Sequence, residues 1–358
     1  MANEHLTRRP ASGPARMLRG GVDLGGTKIQ AVVVDAKSMI LGQGRRPTPT
    51  VGGPADVVAE MAETLREAAE AAGCATADLL GVGVGAPGAA SFETGVLAHA
   101  PNLPGWDDPY PLAAELGKRV GAPVLLGNDV GVAVDAEFQL GAGKPFDSIL
   151  GIWWGTGVGG GIILDGRPWH GRGAAGEFGH TIVKLGGRAE PKGLRGTVEA
   201  YAGRAAMEAQ ARKLVARGGK TKLFEIMEKK GRTRLASGVW AKALEERDPV
   251  AVGLVGEALE ALGAGAASVV NLLDIEAVVI GGGLGTRLGQ PYADRIAAAM
   301  APHLFQPEKA PPVLAARLGD LGGAIGGALL VPEAGAGLRP VASGGSAVAG
   351  AEAASNVA

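Results

Sequence analysis

The sequence predicts an α/β chain of two related domains facing each other across a cleft. Three observations carry that prediction. The chain has 358 residues, too long for one compact core and about right for two. A similar order of segments occurs twice, each time a glycine-tipped pair of β-branched runs followed by helices and buried strands. Three glycine-rich turns lie at the ends of apolar runs: Asp23-Leu24-Gly25-Gly26-Thr27-Lys28, Gly155-Thr156-Gly157-Val158-Gly159-Gly160-Gly161 and Gly281-Gly282-Gly283-Leu284-Gly285.

Residues 1–19 are rich in Pro, Arg, Ser and Ala without periodicity and read as a disordered arm. The folded part opens with the runs Gly21–Leu24 and Ile29–Val34, which form a hairpin around Gly25-Gly26-Thr27-Lys28. A helix is predicted from Pro54 to Ala72. Pro54 suits its first position, Val57, Val58, Met61, Leu65, Ala68 and Ala69 make one face, and Gly73 stops it. A buried strand (Leu80–Gly85), a helix (Pro111–Val120) and a second buried strand (Val124–Gly127) follow.

The second block repeats the plan. Ile149–Gly155 is a strand and Gly159–Leu164 its hairpin partner, turning at Asp165-Gly166. A mainly helical stretch covers Thr197 to Leu273, interrupted near Gly218-Gly219 and Gly231. The strand Ala277–Ile280 ends in the third glycine cluster, and a last helix spans Leu321–Leu330. Residues 332–358 are low-complexity and small, and read as a disordered tail. The expected division is a smaller domain from 20–134 plus 320–331 and a larger one from 135–319.

Composition excludes several classes. Net charge is -1, with no basic stripe and interleaved aromatics, so no nucleic-acid partner is expected. A single cysteine, Cys74, excludes an intrachain disulfide framework and any multi-cysteine metal site, as suits a reducing cytoplasm. The arginines near the N-terminus are followed by no apolar h-region. The most apolar later stretch, Ala264 to Leu284, is broken by Asn271, Asp274 and Glu276, so no membrane association is expected.

Backbone N–H groups can cradle anionic oxygens closely only where no Cβ intervenes, and an aspartate at a strand end can hold Mg²⁺ directly or through water. The first turn is not a Walker loop, because the order is Gly-Gly-Thr-Lys and a strand follows. The second contains a formal G-x-G-x-x-G (Gly155, Gly157, Gly160), but it continues as strand and turn where a dinucleotide fingerprint would open a helix. One glycine cluster is more often a tight turn than a nucleotide site. Three at strand ends favour a nucleotide.

The polar candidates are Asn102 in APNLPGW, Asn128-Asp129 just past an apolar strand, Glu177 and His180 in AGEFGH, and Glu199 in GTVEAY. Carboxylates, amides and an imidazole are the groups that recognise vicinal hydroxyls. Each taken alone is better explained as a capping or surface residue, with Asn128-Asp129 capping a helix.

Taken together and in order, VDLGGTK, GVGVGAPG, APNLPGW, LLGNDV, GTGVGGGIILDG, GEFGH, TVEAYA and VVIGGGL resemble the ROK family (repressors, open reading frames and kinases), closest to its bacterial glucokinases, over Gly20 to Leu330. The resemblance implies the two-domain actin/hexokinase-like (ribonuclease H-like) fold with an interdomain active site. It implies ATP-dependent phosphorylation of a hexose, glucose first, at O6, with ATP and Mg²⁺ and in a cytoplasmic homo-oligomer, dimer or tetramer. Asp129 corresponds to the catalytic base, and Asn102, Asn128, Glu177, His180 and Glu199 to the sugar ligands. Gly25, Gly26, Thr27 and Lys28 match the first phosphate loop, Thr156, Gly157 and Gly159 the second, and Gly282 and Gly283 the adenosine contact. Asp23 matches the magnesium-side carboxylate.

One departure stands out. Many relatives hold zinc with the histidine of the GxGH segment and three cysteines, whose positions here fall near Glu190, Lys192 and Thr197. None can supply a thiolate, so no structural zinc is expected. A Glu190–Lys192 contact or simple packing is left to hold the loop, and how His180 is oriented becomes a question. The rivals are a kinase for fructose, mannose or an N-acetylhexosamine, a polyphosphate-using glucokinase, and a sugar-sensing regulator. The last would carry a winged helix-turn-helix of many tens of residues before the first hairpin, and fewer than about twenty-five residues precede Asp23.

Overall fold

A computed structural model describes residues 17–190 and 193–333. Two five-stranded sheets form its frame, and they share one topology. In the first, β1 (Arg19–Leu24), β2 (Lys28–Val34) and β3 (Ile40–Pro47) form an antiparallel meander. β4 (Val82–Ala86) runs parallel to β1, the two-residue strands β5 (Ala89–Ala90) and β6 (Leu97–Ala98) make a small separate ladder, and β7 (Val124–Asn128) runs parallel to β4. The resulting order is β3-β2-β1-β4-β7.

The second sheet repeats it. β8 (Ile149–Trp154), β9 (Val158–Leu164) and β10 (Arg167–Pro168) are antiparallel, and β11 (Ala277–Gly281) and β12 (Val313–Ala315) add on in parallel, giving β10-β9-β8-β11-β12. The duplication suggested by the order of segments is thus present in the pairing. The Asp165-Gly166 turn leads from β9 into β10, whereas β8 and β9 turn at Gly155–Gly157.

Helices pack where the apolar faces require. α1 (Pro54–Ala72) buries Val57, Val58, Met61, Leu65, Ala68 and Ala69 and ends at Gly73, whose φ of 71° is the left-handed cap. α2 (Leu112–Val120) lies beside it. α3 (Asp129–Leu140) serves both sheets: Val132 packs under Gly85 and Gly127, and Val134 under Gly151 and Gly161. It runs across the boundary expected at residue 134. α4 (Val198–Ala202), α5 (Arg204–Ala216), α6 (Leu223–Lys229) and α7 (Ser237–Glu245) lead to the 25-residue α8 (Pro249–Leu273). α8 is long and apolar enough to cross a membrane, but it is packed as a core helix, burying Leu254, Val255, Leu259 and Leu262. α9 (Gly282–Leu288), α10 (Gln290–Met300) and α11 (Gly322–Leu329) complete the set, α11 following a 3₁₀ turn at Gly319–Leu321.

Several expectations need correction. The folded part begins before Gly20, since Leu18 is buried and Arg19 is already in β1. Leu80 is 40% exposed and precedes β4. The elements β3, α9, α10 and β12 have no counterpart in the sequence reading. Of the arm and the tail, residues 1–16 and 334–358 lie outside the described residues.

α11 lies on the first sheet at backbone contact. A Cβ on Gly83 would sit 1.8 Å from the Gly327 carbonyl oxygen, and one on Gly21 1.9 Å from that of Ala324. Gly83→Ala must push the helix off the sheet. We expect it to lower stability by about 1–3 kcal/mol, the usual cost of overpacking, read as a drop in melting temperature. A variant that melts like the parent would mean that this contact yields freely.

Candidate active site

The first glycine turn is the β1–β2 hairpin. The Gly25 N–H donates to the Lys28 carbonyl (3.0 Å), and the Thr48 hydroxyl to the Gly25 carbonyl (2.5 Å), so the residue that follows β3 buttresses the loop. Gly26 packs on Asn102, where a Cβ would meet the Asn102 carbonyl oxygen at 3.0 Å. Gly26 and Thr27 are exposed. The Lys28 ammonium is tied back to Asp320 (3.0 Å) and to Gln30.

Asp23 closes β1 beneath this loop, against Gly323 at the start of α11. Burial raises its pKa from 3.8 to about 6, aided by the charges of Asp129 and Asp320 and opposed by Lys28. A carboxylate held without a full counter-charge beside a glycine turn is a fit for a cation.

β7 delivers the next pair. Asn128 is the N-cap of α3, its carbonyl oxygen accepting from Val130 N (3.1 Å) and Gly131 N (3.0 Å). The capping role is therefore real, and it leaves the amide N–H₂ for a ligand. Asp129 opens the helix with one oxygen accepting from Val130 N (2.9 Å). Its pKa is nonetheless raised, first by burial and then by the charge of Glu177, with the backbone N–H groups acting in the opposite sense.

The second glycine turn joins β8 to β9, and α4 lies against it. The Trp154 indole N–H donates to the Ala202 carbonyl (2.7 Å), and Val158 N donates to the Glu199 carboxylate (2.8 Å). A Cβ on Gly157 would strike that carboxylate at 2.3 Å. Glu199 thus has one oxygen committed to the hairpin. Gly159 packs under Val130 of α3, which is why this strand tolerates no side chain there. The third cluster adjoins the second: Gly282, at φ 78°, abuts the Trp154 backbone, and Gly283 N lies 4.0 Å from where a Gly155 Cβ would be.

Glu177 and His180 come from the 3₁₀ turn Phe178–His180 and the residue before it. Gly179 lets that turn lie on β9, since a Cβ there would meet the Val158 carbonyl oxygen at 2.0 Å. The exposed Glu177 carboxylate lies 3.9 Å from His180 Nε2 and within charge range of Asp129. The structure therefore joins Asp23, Asp129 and Glu177 by charge, sets His180 near Glu177, and ties Asn102 to the first loop and Glu199 to the second.

Sequence reasoning missed Arg204. Its guanidinium donates to the Thr156 hydroxyl (2.8 Å) and the Leu235 carbonyl (3.3 Å), placing a cation behind the second loop. Burial lowers its pKa from the ordinary value. The position of this arginine two residues beyond TVEAYA was the only signal available.

The zinc expectation was a question of donors. At this loop the structure sets His180 beside Glu190 and Thr197, and Lys192 lies outside the described residues. Among the described residues no group of three or more His, Cys, Asp and Glu could hold a metal ion. One imidazole and one carboxylate do not fit a four-coordinate zinc.

A sequence model described as ROK family matches residues 19–334. The chain is 33% identical over 318 residues to a glucokinase of Halalkalibacterium halodurans, covering 87% of this chain and 94% of that protein. Among solved structures, the ROK hexokinase of Thermus thermophilus is 36% identical, with a TM-score of 0.70 over 87% of this chain and 97% of its own. A ROK family glucokinase of Streptomyces griseus, in complex with glucose and AMPPNP, is 33% identical, with a TM-score of 0.73 over 87% and 98%.

Proposed function

The chain belongs to the ROK family, with its two-domain actin/hexokinase-like fold, and on that premise we propose that it is an ATP-dependent sugar kinase transferring a phosphoryl group to O6 of a hexose, glucose first. The observation that carries this reading is Asp129, a buried carboxylate with a raised pKa at the head of α3, which acts by charge on Asp23 and is itself acted on by Glu177.

Asn102, Asn128, Glu177, His180 and Glu199 hold the sugar hydroxyls, and Asp129 accepts the proton of the attacking 6-hydroxyl. A base whose pKa burial has raised grips that proton better than an ordinary carboxylate. The two loops that carry Gly25, Gly26 and Thr27, and Thr156, Gly157 and Gly159, receive the phosphates, the Gly25 N–H being spent on the Lys28 carbonyl that shapes the first loop, and Gly282-Gly283 meets the adenosine. Asp23 would hold the Mg²⁺ that arrives with ATP, and that ion would supply charge neutralisation for the phosphates. In-line transfer needs little covalent help, so positioning and charge neutralisation carry the catalysis. The halves 20–134 plus 320–331 and 135–319 close on the sugar and exclude water, which would otherwise compete as acceptor. The enzyme works in the cytoplasm.

The test is ADP release with ATP and Mg²⁺ across glucose, fructose, mannose and N-acetylhexosamines, repeated with polyphosphate as donor. We expect glucose with ATP to give the highest kcat/KM. Binding of sugars with no hexose-stimulated ADP formation would replace the kinase with a sugar sensor.

A further inference from the structure

His180 has two faces, and the inward one meets an acid. Its Nδ1 lies 3.3 Å from Oε1 of Glu190, whose side chain is 1% exposed. The other Glu190 oxygen accepts from the Thr197 hydroxyl (3.2 Å), and that hydroxyl in turn accepts from Ala200 N as the N-cap of α4. The loop carrying Glu190 is pinned on both sides. Glu190 N donates to the Leu194 carbonyl (2.9 Å), Gly193 N to the Glu190 carbonyl (3.0 Å), and Gly196 N to the Arg188 carbonyl (2.7 Å). A bridge at Ala189–Arg195 closes the loop on itself, and one at Ile182–Thr197 ties it to the segment leaving His180. Arg188 is fixed to Glu257 (2.6 Å) and stacks on the Tyr201 ring.

A carboxylate removed from water is costly unless a donor meets it. Thr197 meets one oxygen. Neither Glu190 Oε1 nor His180 Nδ1 has an aligned hydrogen bond among the described residues, and each is the polar atom that faces the other. A small rotation of the imidazole turns this approach into a charge-assisted bond. Because an ionised carboxylate can only accept, it selects the ring form with hydrogen on Nδ1 and leaves Nε2 as the acceptor on the open side, next to Glu177.

We propose that Glu190 is the positioning residue of His180: where relatives hold this histidine with zinc, the present chain holds it with a buried carboxylate braced by Thr197. The inference rests on the reading of His180 as a sugar ligand. Orientation of a ligating histidine by a carboxylate on its second nitrogen is a general device. Here it directs the imidazole at a hydroxyl instead of a metal.

The experiment combines kinetics with ¹⁵N NMR of the imidazoles in Glu190→Ala, Glu190→Gln, His180→Ala and the double variant Glu190→Ala/His180→Ala. The parent should show His180 with its proton on Nδ1, and Glu190→Ala should lose that form. Loss of one buried charge-assisted contact predicts a rise of roughly tenfold in KM for glucose with KM for ATP unchanged. The double variant should be no worse than His180→Ala, and Glu190→Gln, whose amide oxygen still accepts, should recover most of the affinity. The inference falls if Glu190→Gln and Glu190→Ala leave the His180 spectrum and the glucose KM as in the parent. It also falls if the purified protein carries one tightly bound zinc per chain at His180. If His180→Ala leaves the glucose KM unchanged in an active kinase, the role assigned to His180, and this inference with it, is wrong while the kinase reading stands. Should Glu190→Ala fail to fold, Glu190→Leu, of similar bulk and without an acceptor, takes its place, and a parent-like His180 spectrum and glucose KM in that variant overturn the inference.

Discussion

Asp129→Asn is expected to reduce kcat by about 10²–10⁴-fold, the usual worth of a general base, while glucose binding changes only a few-fold. The amide keeps the size of the carboxylate, and its oxygen can still accept from Val130 N, so α3 keeps its first turn. What is lost is the ability to take a proton. A general base works ionised, and the Asp129 pKa is raised by burial and by Glu177, so with Asp129 in that role activity should fall on acidification earlier than an ordinary aspartate would dictate. Glu177→Gln removes one of the two raising influences and should move that acid limb to lower pH. Asp23 lies close enough to interact with Asp129, so the limb reports the pair rather than either carboxylate alone. Steady-state kinetics over pH 5 to 8 in the three proteins gives the answer. Near-normal turnover in Asp129→Asn would remove it from the base role.

The candidate site could be named from the sequence because glycine at a strand end and carboxylates after apolar runs leave marks that do not depend on tertiary packing. α1 was legible to the residue, through its Pro54 start, its apolar face and its Gly73 stop. β3 was not, and the reason is physical. Its inward positions include Gly42 and Gly44, which have no side chain to display alternation, and α1 fills the space instead: Cβ atoms there would meet the Ala68 and Thr64 carbonyl oxygens at 2.1 and 2.3 Å. The same close packing hides in α11, whose glycines read as composition but serve as contact with β1, β4 and α3. Asn128 fulfils the capping reading through its side-chain carbonyl, and that cap does not use its amide N–H₂. Glu190 was legible only as a missing cysteine. Its partnership with His180 depends on a loop whose path no periodicity specifies.

Asp23→Asn should abolish most turnover and yet stabilise the ligand-free protein at neutral pH, two effects of opposite sign from one substitution. The folded state holds the Asp23 proton more tightly than the unfolded chain, with a pKa of about 6 against 3.8. Its contribution to stability is therefore fully present below about pH 3.8 and is lost as pH rises through 6. At pH 7.5 the parent carries a partly desolvated carboxylate facing Asp129 and Asp320, at a cost of roughly 3 kcal/mol for a shift of this size. Asparagine removes the charge and keeps the shape against Gly323, so the variant should melt several degrees higher at pH 7.5. The difference should shrink as the pH is lowered through 6 towards 4. ATP with Mg²⁺ should reverse the order, because a carboxylate that is costly alone becomes favourable beside a cation and phosphates. Melting curves at pH 4.5, 6 and 7.5, with and without MgATP, separate these effects. A variant less stable than the parent at pH 7.5, or one stabilised by MgATP as much as the parent, would show that Asp23 is already satisfied within the fold and does not face the metal.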